Sequence, residues 1–136
     1  MEQRMEPAQP EAERPRTKED VLPPGARHCF ACGDDNPIGL HLTGIRRVGD
    51  EVRATLHPRP EFQSYPGVLH GGLTATALDE LMAYASIMLA GIWGATATME
   101  VRYRARVPYD ASLELVAGVT GERARRVRAW AKLLLP

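Results

Sequence analysis

The sequence predicts a single α+β domain in which a curved antiparallel sheet wraps around one long central helix. Two observations predict it: apolar and polar residues alternate with period two through most of the chain, and one stretch rich in Ala, Leu and Met interrupts the alternation at residues 71–91. A chain of 136 residues is long enough for one core. Its 17 basic and 17 acidic residues balance, which argues against a nucleic-acid partner.

The first residues differ in composition from the rest of the chain. Residues 1–24 are rich in Pro and in charged side chains. Such a segment cannot bury enough surface to offset its loss of conformational entropy, so we predict a disordered tail over residues 1–24 and a folded domain over residues 25–136. The N-terminus has no apolar segment typical of a signal peptide, and we therefore expect a cytoplasmic protein.

The alternating segments predict the strands. Two of them flank Gly49 and Asp50, which predict a hairpin turn. Three further segments follow the helix and predict an antiparallel meander, with turns at residues 108–110 and 121–122. Their apolar positions are Met99, Val101, Tyr103, Ala105 and Val107, then Leu113, Leu115, Ala117 and Val119, then Val127, Ala129, Ala131, Leu133 and Leu135.

The stretch at residues 71–91 predicts the central helix. It has glycines at both ends, and its only charged residues are Asp79 and Glu80. A run this apolar also resembles a membrane span, but each acid would cost about 2.5 to 3.5 kcal/mol at the centre of a bilayer. We therefore predict a helix buried by the protein's own sheet and no membrane partner.

A candidate site lies at the start of this helix. The first turn of a helix has unpaired N–H groups, and Gly71 and Gly72 let a ligand approach them closely. These groups suit a carbonyl oxygen that becomes negative during a reaction; alternatively, the two glycines only pack the helix start against the sheet. Asp79 lies about two helical turns further on. A buried carboxylate is a candidate catalytic group, whereas the alternative is that Asp79 and Glu80 face solvent through a gap in the sheet.

The motif His70-Gly71-Gly72 followed by Asp79 resembles the hotdog-fold acyl-CoA thioesterases of the phenylacetic-acid-degradation (PaaI-like) group. The resemblance implies the hotdog fold, hydrolysis of a small or aromatic acyl-CoA thioester, and a homodimer or homotetramer. Relatives continue past the position of Pro136 with one more strand, so we expect the usual last strand to be missing. Three other segments resemble a bacterial subgroup: residues 29–33, residues 36–40, and Ala95-Thr96 with residues 100–103.

The resemblance also implies roles for single residues. The Gly72 N–H, beside Gly71, polarises the thioester carbonyl, and Asp79 of the opposite subunit acts as the nucleophile or as the general base toward water. Thr96 helps to orient the attacking water, and His70 fixes the turn through hydrogen bonds, although histidine is also a common base at neutral pH. The remaining implied site residues are Ser64 or Gln63 for orienting water or the carbonyl, Val68 and Leu69 for binding substrate, and Arg102 and Arg104 for the phosphates of coenzyme A.

Several alternatives stay open at this point. The arginines also fit a solvated sheet face, and the same fold also serves as a non-catalytic acyl-CoA-binding module or, more remotely, as a dehydratase. Cys29-x-x-Cys32, with His28 and His41 nearby, has the spacing of half a zinc ribbon, but the sequence holds no second cysteine pair. We therefore predict semi-buried thiols and no metal or other cofactor.

Overall fold

The computed structural model describes residues 15–23 and 25–136. One long helix, α1, packs against one antiparallel sheet with the strand order β1-β2-β3-β4. This arrangement confirms the predicted fold class. The elements are β1 at Thr43–Val48, β2 at Glu51–Leu56, α1 at Gly71–Ala90, β3 at Leu113–Arg123 and β4 at Arg126–Leu134.

The two hairpins of the sheet differ in how well the sequence predicts them. Val48 pairs with Glu51, so the first turn lies at Gly49 and Asp50 as predicted, with Gly49 at a φ of 61°. The second turn lies at residues 124–125 and not at residues 121–122. The pairing of β3 with β4 shifts register just before Gly121, so this glycine marks a β-bulge and the strand continues past it.

Helix α1 is buried along one face. The helix begins at Gly71, after the N-cap His70, and ends at Ala90. Its C-cap is Gly91, whose φ of 68° lies in the left-handed region that glycine adopts readily. In the single chain the sheet buries one face of the helix, and the opposite face is half-buried. By length and composition α1 also qualifies as a membrane span, with 33% of its most apolar window buried. The buried residues are Thr74, Ala77, Leu78, Leu81, Tyr84, Ala85 and Met88.

The predicted strand at residues 99–107 is not a strand. This segment is extended and mostly exposed, and a cleft of about 590 Å³ separates it from residues 129–135 in and after β4. A strand needs a continuous ladder of backbone hydrogen bonds to a neighbouring strand, and among the described residues none of the sheet strands pairs with this segment. Its end is held by one hydrogen bond, from the Leu69 N–H to the Val107 carbonyl at 2.8 Å. The predicted meander therefore holds only for β3 and β4.

Residues 15–23 pack onto the domain. The buried amine of Lys18 donates to the Cys32 carbonyl and to the Asp34 carboxylate, both at 3.0 Å. A buried amine is tolerated where acceptors satisfy it. The predicted disordered tail over residues 1–24 is therefore wrong for this part, and the rest of it lies outside the described residues.

Candidate active site

The N-terminus of α1 forms the centre of the candidate site. His70 is the N-cap, and its Nδ1 accepts a hydrogen bond of 2.9 Å from the Gly72 N–H. The His70 carbonyl accepts from the N–H groups of Leu73 and Thr74. Within the described part of the chain the Gly71 N–H has no acceptor. The expectation that the Gly72 N–H polarises a substrate carbonyl stays a prediction: in this structure the imidazole of His70 occupies that N–H, and the Gly71 N–H is the donor without an acceptor among the described residues.

Both glycines also lie close to neighbouring side chains. A Cβ on Gly71 would lie 3.2 Å from Cε1 of Tyr103, whose hydroxyl donates to the Gly71 carbonyl at 2.8 Å. A Cβ on Gly72 would lie 3.1 Å from Nδ1 of His70. The two glycines therefore pack closely against their neighbours and also leave the helix tip open. This geometry fits both interpretations of the sequence: close approach of a ligand to the N–H groups, and packing of the helix start.

Asp79 lies in the middle of α1 with a hydroxyl held against it. The Thr96 Oγ1 donates to Asp79 Oδ1 at 2.6 Å, because the chain turns back over the helix after Gly91. Asp79 is half-buried and Thr96 is exposed. Glu80 projects about 100° away around the helix and contacts the Cys29 thiol. One oxygen of the Asp79 carboxylate thus remains open for a ligand.

Gly72 and Asp79 cannot act on one carbonyl group within a single chain. They are seven residues apart in one helix, which corresponds to about 10.5 Å along the axis and about 20° around it. The two groups share a face of α1 but lie too far apart for hydrogen bonds to one small reacting group.

The loop before the helix places its four candidate residues differently. Ser64 Oγ donates to the Val68 carbonyl at 3.4 Å, so this hydroxyl is directed into its own loop. The exposed Gln63 side chain forms no hydrogen bond to any described residue. Val68 is half-buried, but Leu69 is 2% exposed and belongs to the core. The prediction that Leu69 contacts substrate is therefore wrong for this chain, because the bridge between Gln63 and Leu69 turns that side chain inward.

Arg102 and Arg104 lie on the extended segment beside the cleft. Arg102 Nε donates to Glu100 Oε1 at 3.1 Å, and both side chains are exposed. Such a surface pair contributes little to stability. Arg104 is exposed and, among the described residues, has no acidic partner. The geometry suits either a solvated face or an anionic ligand.

A second cluster, which the sequence did not predict, joins two cysteines to the helix. Cys29 Sγ lies 3.4 Å from Glu80 Oε1, and Cys32 Sγ lies 3.2 Å from the Tyr84 hydroxyl. Burial raises the pKa of the Cys32 thiol, and the nearby Glu80 carboxylate raises it further. Burial likewise raises the pKa of Tyr84. Cys29 and Glu80 are 51 positions apart, so only the tertiary fold brings them together.

Comparison with known proteins identifies a related family. Residues 66–128 match the family model of the Thioesterase superfamily. The matched range contains the helix tip, Asp79 and Thr96. No curated protein matches the chain.

The solved structures that are similar to this fold include three thioesterase-superfamily proteins. One protein, described as a thioesterase superfamily protein, is 24% identical to this chain with a TM-score of 0.73. The match covers 80% of this chain and 53% of that protein, so this chain spans about half of that protein's length. A Thioesterase superfamily protein from Shewanella loihica PV-4 is 27% identical with a TM-score of 0.59, over 70% and 83% of the two chains. Zebra fish Thioesterase Superfamily Member 2 is 16% identical with a TM-score of 0.56, over 78% and 88%. The fold is the hotdog fold.

Proposed function

We propose that this chain is an acyl-CoA thioesterase of the PaaI-like group that hydrolyses a small or aromatic acyl-CoA thioester to the free acid and coenzyme A. The observation that carries the proposal is the Asp79 carboxylate in the middle of α1, held by Thr96 at 2.6 Å. A carboxylate on an apolar helix is costly unless it has a role or a partner. The match of residues 66–128 to the Thioesterase superfamily supports the same chemistry.

The proposed site joins two subunits of a homodimer, or of a pair of dimers. The helix tip of one subunit binds the thioester oxygen through the Gly71 N–H and through the Gly72 N–H, which the substrate takes over from His70. The Asp79 carboxylate of the other subunit acts as a general base toward water or as the nucleophile. The separation of about 10.5 Å between Gly72 and Asp79 within one helix supports this division between subunits.

The surface of the single chain supports association. The outer face of α1 is only half-buried although it is apolar. The chain after the helix exposes Trp93, and the segment at residues 99–107 exposes Met99 and Tyr103. An unpaired extended segment with apolar side chains is a surface that favours pairing with another chain. We propose that the phosphates of coenzyme A bind near Arg102 and Arg104. We also propose that the protein is cytoplasmic.

Release of free thiol from a panel of acyl-CoA thioesters tests the proposed function. Asp79→Asn should lower kcat by about 10²- to 10⁴-fold, because it removes the base or nucleophile and keeps the size of the side chain. Asp110→Asn, at an exposed loop position, is the matched control and should retain activity. Turnover that survives in Asp79→Asn would exclude the proposed role. Binding of acyl-CoA without turnover by the wild type would instead show a non-catalytic binding module.

A further inference from the structure

The thiols of Cys29 and Cys32 and the carboxylate of Glu80 converge on one point of the structure. Their ligand atoms all lie within 4.8 Å of one another. Cys32 is buried, whereas Cys29 and Glu80 are half-buried. The cluster connects the loop before β1 to the middle of α1, on the side of the helix away from Asp79.

The backbone holds the two cysteines in a tight turn. The Gly33 N–H donates to the Cys29 carbonyl at 2.8 Å. A Cβ on Gly33 would lie 2.5 Å from the Cys29 nitrogen, so only glycine fits this turn. The Leu40 N–H donates to the Phe30 carbonyl at 2.8 Å and fixes the turn to the next part of the chain. The thiols are therefore preorganised on a rigid element.

The Glu80 carboxylate of the cluster has no ion pair among the described residues. No basic side chain in the described parts of the chain pairs with it. The nearby amine of Lys18 contacts the Cys32 carbonyl but forms its ion pair with Asp34. A half-buried carboxylate beside two thiols, on an otherwise apolar helix, is stabilised when a cation binds between them.

We propose that Cys29, Cys32 and Glu80 bind a zinc ion that ties the loop before β1 to α1. Thiolate ligands favour zinc over magnesium or calcium, and carboxylate oxygens also bind zinc. With Zn–S near 2.3 Å and Zn–O near 2.0 Å, a tetrahedral site separates sulfur and oxygen by about 3.5 Å. The Cys29 Sγ and Glu80 Oε1 are 3.4 Å apart.

The surroundings fit three protein ligands and one solvent ligand. The Tyr84 hydroxyl, 3.2 Å from Cys32 Sγ, is placed to donate to that sulfur and orient it. His28, although next to Cys29 in sequence, is exposed and is not part of the cluster. This site does not depend on the proposed thioesterase activity.

Metal titration of the untagged, reduced and chelator-treated full-length protein tests the proposal. We expect one zinc ion per chain by mass spectrometry under native conditions, and tetrahedral thiolate absorption when cobalt(II) replaces zinc. Cys29→Ser combined with Cys32→Ser should abolish both signals. Glu80→Gln should weaken zinc binding at least about tenfold, since even loss of an outer-shell partner costs 10- to 100-fold.

Two controls separate the ligands from general effects of mutation. His28→Ala and Glu61→Gln change an exposed histidine beside Cys29 and an exposed acid, and both should bind zinc like the wild type. Zinc should raise the melting temperature of the wild type but not that of the double cysteine variant. Wild-type zinc binding no greater than that of the double cysteine variant would overturn the proposal.

Discussion

Asp79 and Glu80 are adjacent on α1, yet their carboxylates have different partners. Asp79 accepts a hydrogen bond from Thr96, whereas Glu80 accepts one from the Cys29 thiol. The angle of about 100° between neighbouring helical residues directs them to separate regions of the molecule. The proposed reaction and the proposed metal site therefore use adjacent residues without competing for them.

The hydroxyl of Thr96 should matter for turnover more than for stability. Thr96→Val keeps the shape of the side chain and removes the donor to Asp79, while Thr96→Ser keeps the donor. A hydrogen bond to a charged group is worth about 1.5 to 3 kcal/mol, so Thr96→Val should lower kcat by roughly 10- to 100-fold. Thr96→Ser should stay close to the wild type in the same thiol-release assay. Equal kcat values for Thr96→Val and the wild type would contradict the role given to this contact.

Asp20 should make the stability of the protein depend on pH in the acidic range. Its carboxylate accepts from the backbone N–H groups of Arg16 at 2.9 Å and Thr17 at 3.0 Å. These bonds, that from Arg16 first, hold its pKa below the usual 3.8. A lowered pKa contributes stability above the unfolded value, and this contribution is lost as the pH falls through the folded value.

Asp20→Ala should therefore lower the melting temperature at neutral pH, and its difference from the wild type should shrink as the pH falls below about 4. Glu19→Ala, at the exposed neighbouring position, is the control and should have little effect. A difference between Asp20→Ala and the wild type that is constant from neutral to acidic pH would contradict this account.

Single residues were predictable from the sequence where a local pattern determines them. The start of α1 at Gly71 and Gly72 follows from the double glycine before an apolar run. The role of Asp79 is implied by the family resemblance and stays a prediction. The hydrogen bond from the Gly72 N–H to His70 depends on a rotamer of the imidazole, and the burial of Leu69 depends on pairing across its loop. The spacing of residues in the sequence predicts neither this hydrogen bond nor this burial.

At the scale of elements, the β3–β4 hairpin contains two glycines in unlike surroundings. A Cβ on Gly118 would lie 2.7 Å from the ring of Trp130 on the neighbouring strand, whereas one on Gly121 would meet nothing within 4 Å. Gly118 thus makes room for the indole, while Gly121 lies at the bulge.

Gly118→Ala should destabilise the fold by about 1 to 3 kcal/mol, because the added methyl group forces the Trp130 ring to move. Gly121→Ala is the matched control and should change the free energy of unfolding by less than about 0.5 kcal/mol. Urea denaturation followed by tryptophan fluorescence measures both. Similar midpoints for Gly118→Ala and the wild type would show that the ring has room to shift.

Helices, strands and turns were predictable from the sequence where residues close together in the chain determine them. Helix α1 and the turn at Gly49 and Asp50 follow from composition and glycine placement. The segment at residues 99–107 has the alternation of a strand, but a strand also needs a partner, and the cleft beside β4 leaves it without one among the described residues. The alternation of apolar and polar residues predicts which face of a strand is apolar, but it does not predict which other strand pairs with it.

At the scale of the whole molecule, the account requires two copies of the chain. The helix tip and Asp79 share one face of α1 but are about 10.5 Å apart along it. The proposed mechanism therefore takes the helix tip from one copy and the carboxylate from the other, and the half-buried outer face of α1 is the surface we propose for that contact. In solution the active species should have at least twice the 15.0 kDa mass of the chain.

The most direct measurement of this central claim is the activity of a heterodimer that pairs Asp79→Asn with Gly72→Pro, isolated through two different affinity tags after coexpression. Each homodimer should lose most of its activity, because the first lacks the carboxylate and the second lacks the Gly72 N–H, one of the two proposed donors at the helix tip. If each site takes its tip from one subunit and its carboxylate from the other, the heterodimer retains one intact site and about half the wild-type activity. A correctly folded heterodimer that is as inactive as the two homodimers would contradict the shared site.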